Sequence, residues 1–187
     1  CLASVALAPR LFDDGGPRTA VGFAYAQPLV RRLLHDAKYE GWTCALDPLE
    51  TLARRWASKA GGIFPADAAV AAVPLHPSRL RSRDFNQAES LARAVASATG
   101  RKRADGFLAR VRRTRSQTGT DDRQGNVRGA FLCGRLPAAL IGRPFLLVDD
   151  VRTSGATMGE CAAALRAAGS GPVHGFALAW GSGLPKD

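Results

Sequence analysis

Two adjacent carboxylates, Asp149 and Asp150, stand between an apolar run and a turn of small and hydroxylated residues. Residues 145–148 are short, continuous and without alternation, as a strand buried on both faces is. After the acids come Thr153, Ser154, Gly155, Ala156 and Thr157, then a helical pattern over 158–168 that Gly169 stops. A helix start offers unpaired N–H groups and the positive end of its dipole, both favourable to a bound phosphate. Gly155 and Ala156 allow close approach to the backbone, and the hydroxyls of Thr153, Ser154 and Thr157 add hydrogen bonds. The acids suit the two hydroxyls of a ribose ring, or a magnesium ion through water. The order therefore builds a sugar-phosphate site; its bland alternative is a turn capped by Thr157 beside two solvated acids.

A second cluster follows the apolar stretch 68–73, which reads as a buried strand ending at Pro74. Leu75 and His76 lie at its end, and Arg79, Arg81 and Arg83 come next. Arginine's planar fork pairs well with phosphate oxygens, so Leu75, His76, Arg79 and Arg83 are the candidates for a pyrophosphate. An exposed turn with solvated arginines is the competing reading.

The elements that must position these residues alternate. A strand is expected over 19–25, an amphipathic helix over 28–38, and a helix capped by Asp47, with Pro48 at its first position, through Ala60. A long helix spans 86–99 and ends at Gly100; further strands are expected at 107–112, 130–132 and 173–180. Such alternation predicts an α/β fold with a doubly wound parallel sheet, whose ligands bind beyond the C-terminal strand ends. The expected organisation is an N-terminal hood over 1–66, a core over 67–180 and a frayed tail over 181–187.

The stretch 145–157 resembles the phosphoribosyl pyrophosphate loop of type I phosphoribosyltransferases. A narrower resemblance, to the ComF competence family, rests on three stretches. They are Pro74-Leu75-His76-Pro77 with Arg79, Arg83 and Phe85-Asn86-Gln87-Ala88; Arg113-Thr114 with Gln117, then Arg123, Asn126, Gly129 and Phe131; and Tyr25 with Lys38-Tyr39 before Gly41. The likeness covers roughly residues 20–180. It implies that Asp149 and Asp150 hold ribose and magnesium, that residues 153–157 cradle the 5′-phosphate, and that the 75–83 cluster takes the pyrophosphate. It also implies that the polar loop 117–128 closes over the substrate, with Arg113, Arg115 and Arg123 as its cations and Arg123 in a catalytic role. A hood carrying His35, Lys38, Tyr39 and Trp42 would select the acceptor base. Full-length members begin with zinc-binding cysteines, of which Cys1 would be the last. Arg152 departs from the family, which has an apolar residue there; Thr153 replaces an aspartate of the purine-salvage members, Asp84 a glycine and Thr120 a leucine. No side chain can be named as general base.

Composition bounds the rest. Hydrophobic content of 46% and charged content of 22% over 187 residues are ordinary for a globular chain. Neither a membrane-length apolar run nor a leader opens the sequence, so cytoplasmic residence without membrane insertion is expected. Cys1, Cys44, Cys133 and Cys161 form no short-spaced pair, and the last three read as small buried hydrophobes. The formal charge of +10 implies anionic partners, and residues 101–128 concentrate it, with nine basic residues against three acidic ones. Two functions in different classes follow. One is transfer of a phosphoribosyl group from phosphoribosyl pyrophosphate to a nitrogenous base. The other is non-catalytic binding of single-stranded DNA in its uptake, for which aromatics at 7% supply few stacking platforms. A non-catalytic sensor of phosphoribosyl pyrophosphate is a third.

Overall fold

The computed structural model describes residues 2–39, 45–112 and 127–181, and its sheet is organised around β6 (Phe145–Arg152). Along β6, Leu146 and Val148 join the core on one face while Phe145 and Leu147 join the core on the other, all four buried. A strand covered on both sides has no polar face, which is why this run shows no alternation. On either side of β6 lie β7 (Val173–Trp180) and β3 (Ala69–Ala72), with β2 (Thr19–Ala24) beyond β7; these four run parallel. A short edge strand, β1 (Arg10–Phe12), pairs antiparallel with β2 and completes the order β1-β2-β7-β6-β3.

Helices cover both faces. On one lie α1 (Pro28–Tyr39), α2 (Leu46–Ala60) and α4 (Gln87–Thr99), whose buried Leu34, Leu52, Leu91 and Val95 share a core with β2, β6 and β7. On the other lies α5 (Ala156–Ala167), which packs Met158, Cys161 and Leu165 against the sheet. The molecule is thus α/β with a mostly parallel five-stranded sheet, an arrangement compatible with a doubly wound fold. Residues expected to form a hood supply β1 and β2 to this same sheet, and α1 and α2 to the core that α4 shares. Among the described residues no helix is long and apolar enough to cross a membrane.

Several local expectations are corrected. The helix expected to be capped by Asp47 starts at Leu46 after Ala45, with no side-chain cap; Asp47 and Pro48 lie inside its first turn. There an acid favours the dipole and a missing N–H costs nothing. The strands expected near 107–112 and 130–132 are β4 (Leu108–Arg110) and β5 (Phe131–Cys133), which leave the main sheet to form their own antiparallel ribbon against α5. The apolar strand runs four residues past Val148, so the acid pair lies within β6, with Asp149 opposite Ala177 of β7. The arginine cluster is a short helix, α3 (Pro77–Arg83): His76 Nδ1 accepts from the Ser78 amide at 3.2 Å, and Pro77 fills the first position. Asp84 ends α3 at φ 59°, a conformation that favours glycine.

At Gly22 of β2, an added Cβ would lie 2.5 Å from Cγ of the buried Trp56. Gly22→Ala is therefore expected to cost about 1–3 kcal/mol through overpacking. Urea unfolding measures this; an unchanged midpoint would show that the indole moves aside freely.

Candidate functional site

Where β3 and β6 lie side by side, the long helices that come after them pack on opposite faces: α4 on one, α5 on the other. Such a switch point leaves a crevice beyond the C-terminal strand ends, because no connection crosses it. A cleft of about 130 Å³ opens there, floored by Val73 and Leu75 after β3 and by Asp149 and Asp150 of β6. Arg79 of α3 and Arg110 of β4 line it, with Thr157 at the start of α5. Asn86 fixes one wall: its side chain accepts from the Ala88 amide to cap α4 and donates to the Val73 carbonyl at 3.1 Å. Buried Gln87 donates to the Ala37 carbonyl at 2.8 Å and so holds the end of α1 over the cleft. That contact brings in Lys38, whose Nζ lies 2.9 Å from Asp150 Oδ2.

The turn after β6 leaves several backbone amides without a backbone acceptor among the described residues. Gly155 is the N-cap of α5, at φ 78°, with no side-chain cap. Among the described residues, the amides of Thr153, Ser154, Gly155 and Thr157 donate to no backbone carbonyl, and the Ala156 amide reaches only Ser154 Oγ, at 3.4 Å. Thr157 faces the acid cleft, whereas Ser154, Gly155 and Ala156 line a second cavity of about 430 Å³ bounded by the 14–17 segment and by Gly159 and Glu160 of α5. This larger cavity lacks the acid pair but is lined by Arg128 and Arg152; the smaller cleft has the acids, with Arg79 and Arg110.

Charge in the cleft is unevenly held. Burial, and next the charge of Asp150, push the Asp149 carboxyl up to about 8, against the Asp150 amide bond (2.9 Å to Oδ1), Lys38 and Arg110. Burial, and then Arg79, lower Arg110 from its ordinary value. The cleft thus sets Lys38, Arg79 and Arg110 beside two acids, of which Asp149 resists ionisation, a balance suited to a polyanion. Cys161, packed beneath, is no nucleophile: burial and Asp149 push its thiol well above the ordinary range.

Two carboxylates are too few for a resident magnesium, which wants near-octahedral oxygen ligands, and among the described residues no group of three or more His, Cys, Asp or Glu is placed to hold a metal ion. The donor set fits a magnesium that also keeps waters and substrate phosphate oxygens. Of the other expected residues, Leu75 and Arg79 line the cleft, while His76 commits Nδ1 to capping α3. His35 is exposed on α1 beside Asp36, and His174 packs against Phe64 away from the rim. Cys1, Trp42, Arg113, Arg115, Arg123, Asn126 and the side chains of Tyr39 and Arg83 lie outside the described residues. The basic segment is partly consumed by structure: Arg101 is buried and donates to the carbonyls of Gly61, Phe64 and Pro65, and Arg103 pairs with Asp105. Sequence reasoning missed Arg110 and placed Lys38 in the acceptor hood, because only the fold brings them to the acids.

No protein-family model matches the chain. It is 31% identical over 113 residues to Competence protein F of Haemophilus influenzae, an alignment covering 59% of this chain and 49% of that protein. It is 32% identical over 106 residues to Competence protein ComFC of Streptococcus pneumoniae, covering 57% and 45%. The chain spans about half the length of the curated relatives it matches. Both relatives support the ComF resemblance.

A carboxyl raised by folding holds its proton longer in the folded state, so its contribution to stability is full below about pH 4 and lost as pH rises to about 8. Asp149→Asn should remove this decline and gain on wild type progressively across that window, read from urea midpoints at fixed ionic strength. Parallel curves for the two proteins would contradict the raised value.

Proposed function

We propose that this chain belongs to a phosphoribosyltransferase-like protein acting in competence, which binds phosphoribosyl pyrophosphate across the cleft and the turn. The observation that carries the reading is the set of uncommitted amides over residues 153–157, directly after the strand that carries the acid pair. An amide without an acceptor at a helix N-terminus is stabilised by an anion, and a 5′-phosphate supplies one. The competence role comes from the names of the two relatives.

In this reading Asp149 and Asp150 engage the ribose hydroxyls, the 153–157 turn takes the 5′-phosphate, and the pyrophosphate lies toward Leu75, Arg79 and Arg110. Transfer would break the bond from ribose C1′ to the pyrophosphate oxygen as a nitrogen of the acceptor bonds to C1′, through an oxocarbenium-like state. Pyrophosphate would leave with the bonding electron pair. Arg79, Arg110 and Lys38 line the cleft and would meet that growing negative charge, so the protein's contribution would be positioning and electrostatics. Magnesium, held through Asp149, Asp150 and substrate oxygens, would supply further neutralisation.

Calorimetric titration with phosphoribosyl pyrophosphate and magnesium tests the reading. Wild type should bind, and Asp149→Asn/Asp150→Asn should weaken binding by about tenfold or more, as lost ribose hydrogen bonds require. Pyrophosphate release across a panel of bases then separates transferase from sensor. Equal affinity in both proteins would overturn the site. Tight single-stranded DNA binding that falls steeply with salt and ignores the double substitution would favour plain backbone attraction.

A further inference from the structure

We propose that Arg152, clamped between Phe12 and Asp14, is the positioning residue that holds the 153–157 turn in its phosphate-accepting shape. This deepens the reading above and rests on it. Arg152 is the last residue of β6, and its guanidinium folds back on the turn it precedes. An added Cβ at Gly155 would lie 2.5 Å from Nη2 and 3.0 Å from Cζ of Arg152, so the guanidinium packs directly against the turn backbone. Nη1 reaches the Thr153 carbonyl at 3.4 Å. Nη2 donates to Asp14 at 2.7 and 2.6 Å to its two oxygens, and the guanidinium carbon sits 4.0 Å from the centre of the Phe12 ring. Gly155, at φ 78°, adopts a conformation easy for glycine, and its bare Cα is what lets the guanidinium in.

As a stabiliser this pair is poor. Burying a guanidinium is costly, its side chain is only 4% exposed, and its Nε finds no acceptor among the described residues. Asp14, by contrast, is half exposed at 52%, which weakens its Coulombic return. What the arrangement does supply is geometry: a flat cation fixed by a ring on one side and a carboxylate at its edge cannot rotate. The turn packed against it is preorganised, and preorganisation lowers the ordering cost of binding. A neighbouring contact anchors the same edge strand, since Arg10 stacks on Trp180, at 3.5 Å to the ring centre, and Trp180 Nε1 donates to the Ala8 carbonyl. The N-terminal segment, 138 residues away in sequence, thus reaches the phosphate turn through one side chain.

The test compares wild type with Asp14→Asn, Arg152→Lys and Arg152→Met in the full chain. It reads calorimetric affinity for ribose 5-phosphate and ¹⁵N order parameters of the 153–157 amides. Asp14→Asn should lower those order parameters and weaken ribose 5-phosphate binding about tenfold, a typical cost of lost preorganisation. Arg152→Lys, which keeps the charge but not the plane, should fail to rescue. Tighter binding by Asp14→Asn, as an uncompensated cation alone would give, overturns the inference, as does wild-type affinity in Arg152→Lys. Should wild type itself ignore ribose 5-phosphate, the proposed function fails, and the clamp stands or falls on the order parameters alone. If Arg152→Met does not fold, Asp14→Asn still decides, because its side chain is half exposed.

Discussion

Backbone amides that lie at a helix start must find an acceptor, in water, in the protein or in a ligand. In this chain the strand and helix that meet at residues 153–157 leave four of them uncommitted among the described residues. Because β6 stays in the ladder with β7 as far as Arg152, the turn begins abruptly at the C-terminal rim of the sheet and projects beyond it. Gly155 then reverses the chain directly into α5. The neighbouring cleft, with its acid pair and cations, meets those donors at Thr157.

The second determinant is how the cleft balances charge. Asp149 and Asp150 are consecutive on a strand, so they leave the backbone on opposite faces. Lys38 of α1 pairs with Asp150 and also acts on Asp149, on which Arg110 of β4 acts next, and both acids line the one cleft. Ribbon, α1 and α3 therefore all contribute cations to one point, although none of them is near another in sequence. Lys38 reaches it because Gln87 ties α1 to α4. The N-terminal part is in this sense a wall of the site, and its two strands are part of the same sheet.

Much of this was legible in the sequence because it depends on local rules. Unbroken apolar runs marked β3 and β6, Asn86 and Gly100 bounded α4, and the acid pair followed by a hydroxyl-rich turn marked the rim. What could not be read was non-local or too short for periodicity. β1 has three residues, and α3 offered only Pro77 at its first position as a helix signal, which the arginines obscured. The ribbon strands carried ordinary strand composition, and nothing local says which sheet a strand will join. Arg152 stood out against the resemblance to the phosphoribosyl pyrophosphate loop, but its partner Asp14 lies 138 residues away and carries no local signal. The nine basic residues of 101–128 looked like one patch; Arg101 is a buried tie and Arg110 a cleft residue, so net charge overstated the patch.

The central claim, that residues 153–157 take a phosphoryl group, is tested most directly by titrating ribose 5-phosphate into ¹⁵N-labelled protein. The account predicts that the largest amide shifts fall on Ser154, Gly155 and Thr157, with smaller ones at Asp149 and Asp150. Shifts confined to the exposed arginines of other surfaces, with those amides unmoved at saturating ligand, would contradict it.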